Sequence, residues 1–85
     1  MAKNPKDVEL SNTARKFIDS AESKLKNLIK EAIKEIASNP LIGPPLQGPF
    51  KGLRRVRIGD YRIVYKFTAD KVEVVSIRHR KDVYR

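Results

Sequence analysis

The sequence has no cysteine, no tryptophan and a single histidine, His79. Without cysteine the chain can form neither a disulfide framework nor a thiolate metal site, and one histidine cannot build a zinc site alone. The longest apolar runs are only a few residues, and residues 1–5 carry no hydrophobic signal region. Secretion and membrane spanning are therefore not favoured. We expect a cytoplasmic protein that needs no metal or cofactor and has no membrane partner.

The chain is also too short for a second hydrophobic core. It has 85 residues, of which 40% are hydrophobic. A chain of this size buries only about 60% of its unfolded surface, which leaves no material for a second core. We therefore expect one domain over residues 1–85, with one functional site.

Acidic residues are scarce in the second half of the chain, although the formal net charge of the whole is +9. Residues 1–50 hold eight Lys/Arg against six Asp/Glu, whereas residues 51–85 hold eleven against four, and seven of those eleven are arginines. A solvated surface usually mixes both signs and uses lysine freely. The asymmetry therefore favours binding of a polyanion by the C-terminal part.

The N-terminal half shows the signals of two helices. The polar run 11–13 supplies capping residue types and predicts a helix start. The serines at positions 20 and 23 indicate a break before a second helix. Asn39-Pro40 predicts the end of that helix, because proline disfavours the helical conformation of its predecessor. Apolar residues of the second helix recur at helical spacing and form one stripe: Leu25, Leu28, Ile29, Ala32, Ile33 and Ile36.

The C-terminal half is predicted to form strands after a stiff loop. Residues 43–52 contain three prolines and three glycines and predict a loop of restricted flexibility. Three runs rich in Val, Ile, Tyr and Phe follow: Leu53–Ile58, Tyr61–Phe67 and Val72–Arg78. Val8-Glu9-Leu10 is a weaker strand signal. The sequence thus predicts an α+β fold, with two N-terminal helices packed on one face of a small antiparallel sheet made of a short N-terminal strand plus a three-strand meander.

Gly59-Asp60 is a two-residue hairpin turn, and its length fixes the register of the flanking strands. It places Arg57 opposite Arg62 and Arg55 opposite Val64. One face of the hairpin is then apolar and suits the stripe of the second helix: Val56, Ile58, Tyr61, Ile63, Tyr65 and Phe67. The other face is basic: Arg55, Arg57, Arg62, Val64 and Lys66.

Like charges directly opposite each other on a sheet are destabilising, and the Cβ atoms of Arg57 and Arg62 would lie about 5 Å apart. A phosphodiester backbone or the carboxylates of a protein partner would compensate, and the planar guanidinium fork suits either better than lysine does. The alternative is a solvated face on which arginine stems cover apolar surface.

The last strand and the tail extend this pattern. Counting in twos puts Val74, Ser76, Arg78 and Arg80 on one side and Val75, Ile77 and His79 on the other. If this strand pairs with Tyr61–Phe67, Arg78 and Arg80 join the basic face. The tail carries Lys81 and Tyr84; Tyr84 either approaches whatever the arginines hold or packs against the domain. We expect His79 to be a packed or solvent-edge side chain and not a catalytic base.

These residues resemble a known family. The G-D-Y-R-I-V-Y hairpin at positions 59–65 and the H-R-K-D-V-Y-R ending at 79–85 look like the RelE/ParE toxin superfamily. Val8-Glu9-Leu10-Ser11, Ala14-Arg15-Lys16-Phe17 and Leu46-Gln47-Gly48 extend the likeness over nearly the whole chain. The resemblance implies a RelE-like fold and, for a RelE-type toxin, a metal-independent endoribonuclease that cleaves messenger RNA in the ribosomal A site and so inhibits translation.

In RelE toxins a ribose 2′-hydroxyl attacks the adjacent phosphate. The resemblance implies catalytic roles for Arg62 as the third-strand arginine, Arg80 as the late-strand arginine that assists the leaving 5′-oxygen, and Tyr84 as the C-terminal tyrosine. Tyr84, or a nearby basic side chain whose depressed pKa leaves it neutral, would take the 2′-hydroxyl proton. Arg55 and Arg57 match the basic pair of the family's second strand. The residues expected to bind RNA are Arg55, Arg57, Lys66, Arg78 and Lys81.

Two other functions stay open at this point. ParE-like relatives share the scaffold but inhibit DNA gyrase without nuclease chemistry, and the basic face alone also suits a non-catalytic RNA-binding module. The partners implied by the resemblance are messenger RNA on the ribosome, ribosomal RNA, and a cognate RelB-like antitoxin that is acidic and folds on binding. The unpaired arginines independently favour an acidic partner.

Overall fold

The computed structural model describes residues 6–79 and residue 81. Its helices and strands, in chain order, are β1 (Asp7–Leu10), α1 (Asn12–Ser20), α2 (Ser23–Ser38), β2 (Arg54–Ile58), β3 (Tyr61–Phe67) and β4 (Lys71–His79). Single-turn 3₁₀ helices lie at Pro40–Ile42 and Gly48–Phe50. The predicted α+β fold, with two helices on one side of a four-stranded sheet, is confirmed. Neither helix in this part of the chain is long and apolar enough to cross a membrane.

The helices begin and end where their polar residues predict. The Ser11 hydroxyl accepts a hydrogen bond from the Ala14 N–H at 3.0 Å and so caps α1. Buried side chains from both helices meet the sheet in one core: Ala14, Ile18, Ile29, Ala32 and Ile36. Leu28 is the exception in the predicted stripe, because half of its surface stays exposed.

The strand order is β1-β4-β3-β2, so the two edge strands are the first and second in sequence. β2, β3 and β4 form the predicted antiparallel meander. β1 differs, because it runs parallel to β4 from Asp7 opposite Lys71 to Leu10 opposite Val74. The sheet is therefore mixed and not wholly antiparallel. The helical crossover between β1 and β2 sets this direction, and an isolated four-residue strand carries no signal for it.

A β-bulge at Val75 interrupts the alternation of β4. Val64 pairs with Ser76, but Tyr65 pairs with Val74, so Val75 has no residue opposite it. The prediction that Val74 shares a side with Ser76 and Arg78 is therefore wrong: Val74 is fully buried in the core. The Ser11 hydroxyl donates to the Val75 carbonyl at 2.6 Å and thus ties the bulge to the start of α1.

The bulge allows β4 to bury apolar residues on both sides of it against the helices. Val72 and Val74 before the bulge and Ile77 after it all belong to the core. In a strand without a bulge, Ile77 would lie on the opposite face from the two valines, because side chains alternate at every residue. The bulge therefore also decides that Ser76 and Arg78 lie on the face without helices.

The stiff loop is fastened to the sheet by one buried phenol. The Tyr65 hydroxyl donates to the Pro40 carbonyl at 2.6 Å and accepts from the Gly43 N–H at 3.0 Å. Burial raises the pKa of the Tyr65 phenol, and the Gly43 hydrogen bond and nearby Arg54 offset part of that rise. Beyond this point the loop lies along β2, where the Arg55 N–H donates to the Pro44 carbonyl at 3.2 Å. The loop therefore covers part of the edge of β2.

Candidate nucleic-acid interface

Three arginines lie in one row across the face of the sheet that carries no helix. Arg57 of β2 is directly opposite Arg62 of β3, as the hairpin turn predicts. Arg62 is in turn opposite Arg78 of β4. Residues paired in this way have Cβ atoms about 5 Å apart, so the three arginine side chains extend from neighbouring positions on the sheet. We call Arg57, Arg62 and Arg78 the arginine row.

The ion pairs between described residues do not neutralise Arg57 or Arg62. Those ion pairs all use lysine as the cation: Lys34 with Glu31, Lys66 with Glu73, and Lys71 with Glu9. Arg62 is partly buried, and its Nε is inaccessible to solvent with no hydrogen-bond partner. Leaving a buried donor unsatisfied costs about 1–3 kcal/mol. An external acceptor, such as an anion oxygen, can satisfy this donor only once the Arg62 side chain has turned outward.

The remaining predicted RNA-binding residues differ in how available their charges are. Arg55 lies opposite Val64, one step along from the row and on the same face. Lys66 is also on this face, but its Nζ lies 3.8 Å from Oε1 of Glu73 on β4. Lys81 is exposed just beyond β4. Arg55 therefore extends the row directly, whereas Lys66 carries a charge that is already partly balanced.

Two of the three predicted catalytic residues, Arg80 and Tyr84, lie outside the described residues. Their predicted roles remain predictions. Arg62, the third, stands at the centre of the arginine row. His79, the last residue of β4, lies opposite Tyr61, the first residue of β3. The described part of β4 therefore ends on the strand next to that of Arg62.

His79 is packed among aromatic rings on the helix-bearing face. Its ring centroid lies 5.1 Å from that of Tyr61, and Tyr61 lies 5.6 Å from Phe17, both with edge-to-face geometry. The His79 Nδ1 accepts a hydrogen bond from the Lys81 N–H at 3.2 Å. The imidazole is thus on the opposite side of the sheet from the arginine row. No cluster of three metal-binding side chains occurs among residues 6–79 and 81.

Sequence reasoning did not separate Arg54 from the other arginines. Its guanidinium donates to the Gly43 carbonyl at 2.7 Å and lies 5.9 Å from the centre of the Phe67 ring. Arg54 is opposite Tyr65 and so points toward the core side of the sheet. Side chains alternate between the two faces along a strand, so Arg54 must lie on the opposite face from Arg55 and Arg57. That alternation was the signal for its structural role.

Sequence reasoning also missed a pocket beside the basic face. It has a volume of about 260 Å³ and lies between the loop and the exposed edge of β2. We call it the edge pocket; it is lined by Ile42, Gly43, Pro44, Arg55, Val56 and Arg57. Ile42 is 45% exposed, which is unusual for isoleucine. The Gly-Pro-Pro sequence at 43–45 was the only signal for a stiff wall at this place.

The like charges of Arg57 and Arg62, which lie opposite each other, predict that removing one of these two arginines stabilises the free protein. Replacing Arg57 with Thr removes a like charge from opposite Arg62 and keeps a residue that suits strands. We expect the free energy of unfolding at low salt to rise by about 0.5 kcal/mol. The gain should shrink in high salt, because salt screens the repulsion between exposed charges. Urea unfolding at both salt concentrations measures the effect.

Lys66→Thr is the matched control, because Lys66 lies on the same face but opposite Glu73. Its removal should give no gain at either salt concentration. If Arg57→Thr lowers the stability at low salt by as much as Lys66→Thr does, the repulsion in the row is not a feature of the free protein.

Comparison with known proteins agrees with the fold and with the resemblance. A model of the family described as the ParE toxin of the type II toxin–antitoxin system parDE matches residues 8–84. Toxin RelG of Mycobacterium tuberculosis is 31% identical over 85 residues, covering 95% of this chain and 98% of that protein.

Solved structures agree as well. The RelBE2 toxin–antitoxin complex of M. tuberculosis holds a chain that superposes with a TM-score of 0.80 at 26% identity, covering 91% of this chain and 100% of that one. The intact E. coli RelBE complex gives a TM-score of 0.75 at 18% identity, covering 94% and 99%, and it supports the fold alone. The chain therefore belongs to the RelE/ParE superfamily, whose members are toxins of type II toxin–antitoxin systems.

Proposed function

We propose that this toxin is a ribosome-dependent endoribonuclease that cleaves messenger RNA in the ribosomal A site. The observation that carries the proposal is the arginine row, in which Arg57, Arg62 and Arg78 lie in register on the face without helices. A phosphodiester backbone presents negative oxygens at close spacing, and arginine binds phosphate through two parallel hydrogen bonds. The row thus suits RNA phosphates better than it suits a neutral ligand.

The same arrangement suits catalysis. When a 2′-hydroxyl attacks the adjacent phosphate, negative charge grows on the equatorial oxygens of the phosphorus. Guanidinium groups already held in position stabilise that charge more in the transition state than in the ground state. Arg62 is best placed for this, because it lies between Arg57 and Arg78 in the arginine row.

The proton transfers are assigned to the C-terminal residues. In the proposal, Tyr84 or a neighbouring basic side chain in its neutral form takes the proton of the attacking 2′-hydroxyl, and Arg80 stabilises the leaving 5′-oxygen. Arg55, Lys66 and Lys81 bind flanking phosphates. His79 takes no part, because it faces Tyr61 on the other side of the sheet.

The proposal predicts that Arg62→Ala lowers messenger RNA cleavage on translating ribosomes by about 10²-fold or more, the usual effect of removing one donor that stabilises transition-state charge. Mapping of RNA 5′ ends at ribosome-protected positions measures it. Arg15→Ala, an exposed arginine on α1, is the matched control and should cleave as the wild type does. A loss of less than tenfold in Arg62→Ala would leave Arg62 as a binding residue only.

A wild-type protein that is folded yet makes no A-site cuts would contradict the nuclease proposal itself. Inhibition of DNA supercoiling by gyrase in that case would indicate the ParE-like activity. Binding of RNA without cleavage or gyrase inhibition would indicate a non-catalytic RNA-binding module.

We also propose that the toxin is neutralised by a cognate RelB-like antitoxin that is acidic and folds on binding. The M. tuberculosis RelBE2 and E. coli RelBE structures are toxin–antitoxin complexes. Ordering a flexible partner costs about 2–5 kcal/mol, so the contact must combine apolar burial with charge-assisted bonds. A cavity of about 460 Å³ between the helices and the hairpin offers such apolar surface, including half-exposed Leu28 next to Leu25 and Phe17.

Replacing Arg57 and Arg62 together with Ala tests the charged part of that contact. We expect a lower antitoxin affinity and a weaker dependence of that affinity on salt, because fewer charged contacts form. Titration calorimetry at low and high salt measures both. If affinity and its salt dependence stay at wild-type values, the arginine row is not part of the antitoxin site.

A further inference from the structure

We propose that the edge pocket binds one unstacked nucleobase of the RNA strand whose phosphates lie along the arginine row. The inference rests on the proposed function and adds a base-binding site to it. Arg55 and Arg57 belong both to the basic face and to the pocket lining. A strand held by its phosphates on that face therefore has the pocket within reach of an adjacent base.

The backbone of Arg57 gives the pocket an open hydrogen-bonding edge. In a two-residue hairpin the closing pair, here Ile58 and Tyr61, is hydrogen-bonded. Backbone N–H and C=O groups then point toward β3 at Ile58 and Val56 and away from it at Arg57 and Arg55. The hydrogen bond from the Arg55 N–H to the loop agrees with this alternation. Among the described residues the N–H and C=O of Arg57 have no partner, and they can pair with the edge of a base.

The wall opposite that edge is stiff. A Cβ on Gly43 would overlap the Arg55 carbonyl oxygen and approach the Tyr65 hydroxyl to 2.8 Å. The loop and β2 are therefore too close at this point for any side chain to fit between them. The Gly43 N–H and C=O are both occupied, by Tyr65 and Arg54. Pro44 has a fixed φ and no N–H. The pocket is thus held open before any ligand arrives.

The size and chemistry of the pocket fit a single base. Its volume of about 260 Å³ is below the roughly 300–1,000 Å³ typical of pockets for drug-sized ligands. Ile42, Pro44 and Val56 offer apolar surface to a ring face. Single-stranded RNA is recognised by splaying out a base, stacking it on aromatic rings or guanidinium planes, and hydrogen-bonding its edge. Arg55 and Arg57, which both line the pocket, carry guanidinium planes of this kind.

A peptide strand from a protein partner fits this edge less well. The loop already pairs with Arg55 of β2 and with Leu53 just before it, whose carbonyl accepts from the Leu46 N–H at 2.8 Å. The turn at Gly59-Asp60 ends β2 on the other side. Only Arg57 remains to offer an outward N–H and C=O, whereas strand addition uses a run of main-chain hydrogen bonds.

The test compares two probes that differ only in their bases. One is a short single-stranded RNA with 2′-O-methyl groups, which prevent cleavage; the other has the same backbone with abasic residues throughout. We expect the wild-type toxin to bind the first about tenfold more tightly, within the range measured for stacking of one base. Ile42→Ala should reduce that ratio to about twofold. Leu41→Ala should leave it unchanged, because neighbouring Leu41 is 63% exposed and does not line the pocket.

An unchanged ratio in Ile42→Ala, with wild-type thermal stability, overturns the proposal. The proposal is also overturned if Ile42→Ala lowers the affinity for the antitoxin but keeps the wild-type ratio of affinities for the two RNA probes, because the pocket then belongs to a protein interface. The base-binding site and the nuclease proposal can fail separately. A ratio that depends on Ile42 in a toxin that makes no A-site cuts supports the site and contradicts the nuclease function. A wild-type toxin that makes A-site cuts, with a probe ratio that Ile42→Ala leaves unchanged, supports the nuclease function and contradicts the base-binding site.

Discussion

The two-residue turn at Gly59-Asp60 is the constraint on which the rest of the molecule depends. It sets the register of β2 against β3 and so brings Arg57 opposite Arg62. A shift of one residue would move every side chain of a strand to the other face, exposing the core and burying the arginines. The apolar residues that pack under the helices therefore hold the like charges together, and the packing free energy offsets their repulsion.

The two faces of the sheet are thereby given separate tasks. On one face, the helices pack against the sheet to form the core. On the same face, the Tyr65 hydroxyl holds the loop by its hydrogen bond to the Pro40 carbonyl. The other face has no covering helix and carries a row of arginines at fixed spacing. Electrostatic preorganisation of this kind costs stability in the free protein and stabilises negative charge in a bound ligand. Among the described residues, the acidic side chains Glu31, Glu73 and Glu9 form ion pairs with lysines and not with Arg57 or Arg62.

The sequence was sufficient for the features that depend on local rules. Cap types, the apolar stripe of α2 and the hairpin register each follow from neighbouring residues. Three features do not. The direction of β1 depends on a helical crossover, the bulge at Val75 depends on a bond from distant Ser11, and the edge pocket depends on a loop folding back along β2. The family resemblance proposed Arg80 and Tyr84, but they lie outside the described residues.

The central claim is that the arginine row binds RNA phosphates, and the salt dependence of RNA binding tests it most directly. Each phosphate neutralised on a single strand contributes about 0.7 to the slope of log K against log salt, so three arginines predict a slope of about −2 or steeper. Arg57→Ala should make that slope shallower by about 0.7. A wild-type slope near zero, or a slope that Arg57→Ala leaves unchanged, would contradict the account.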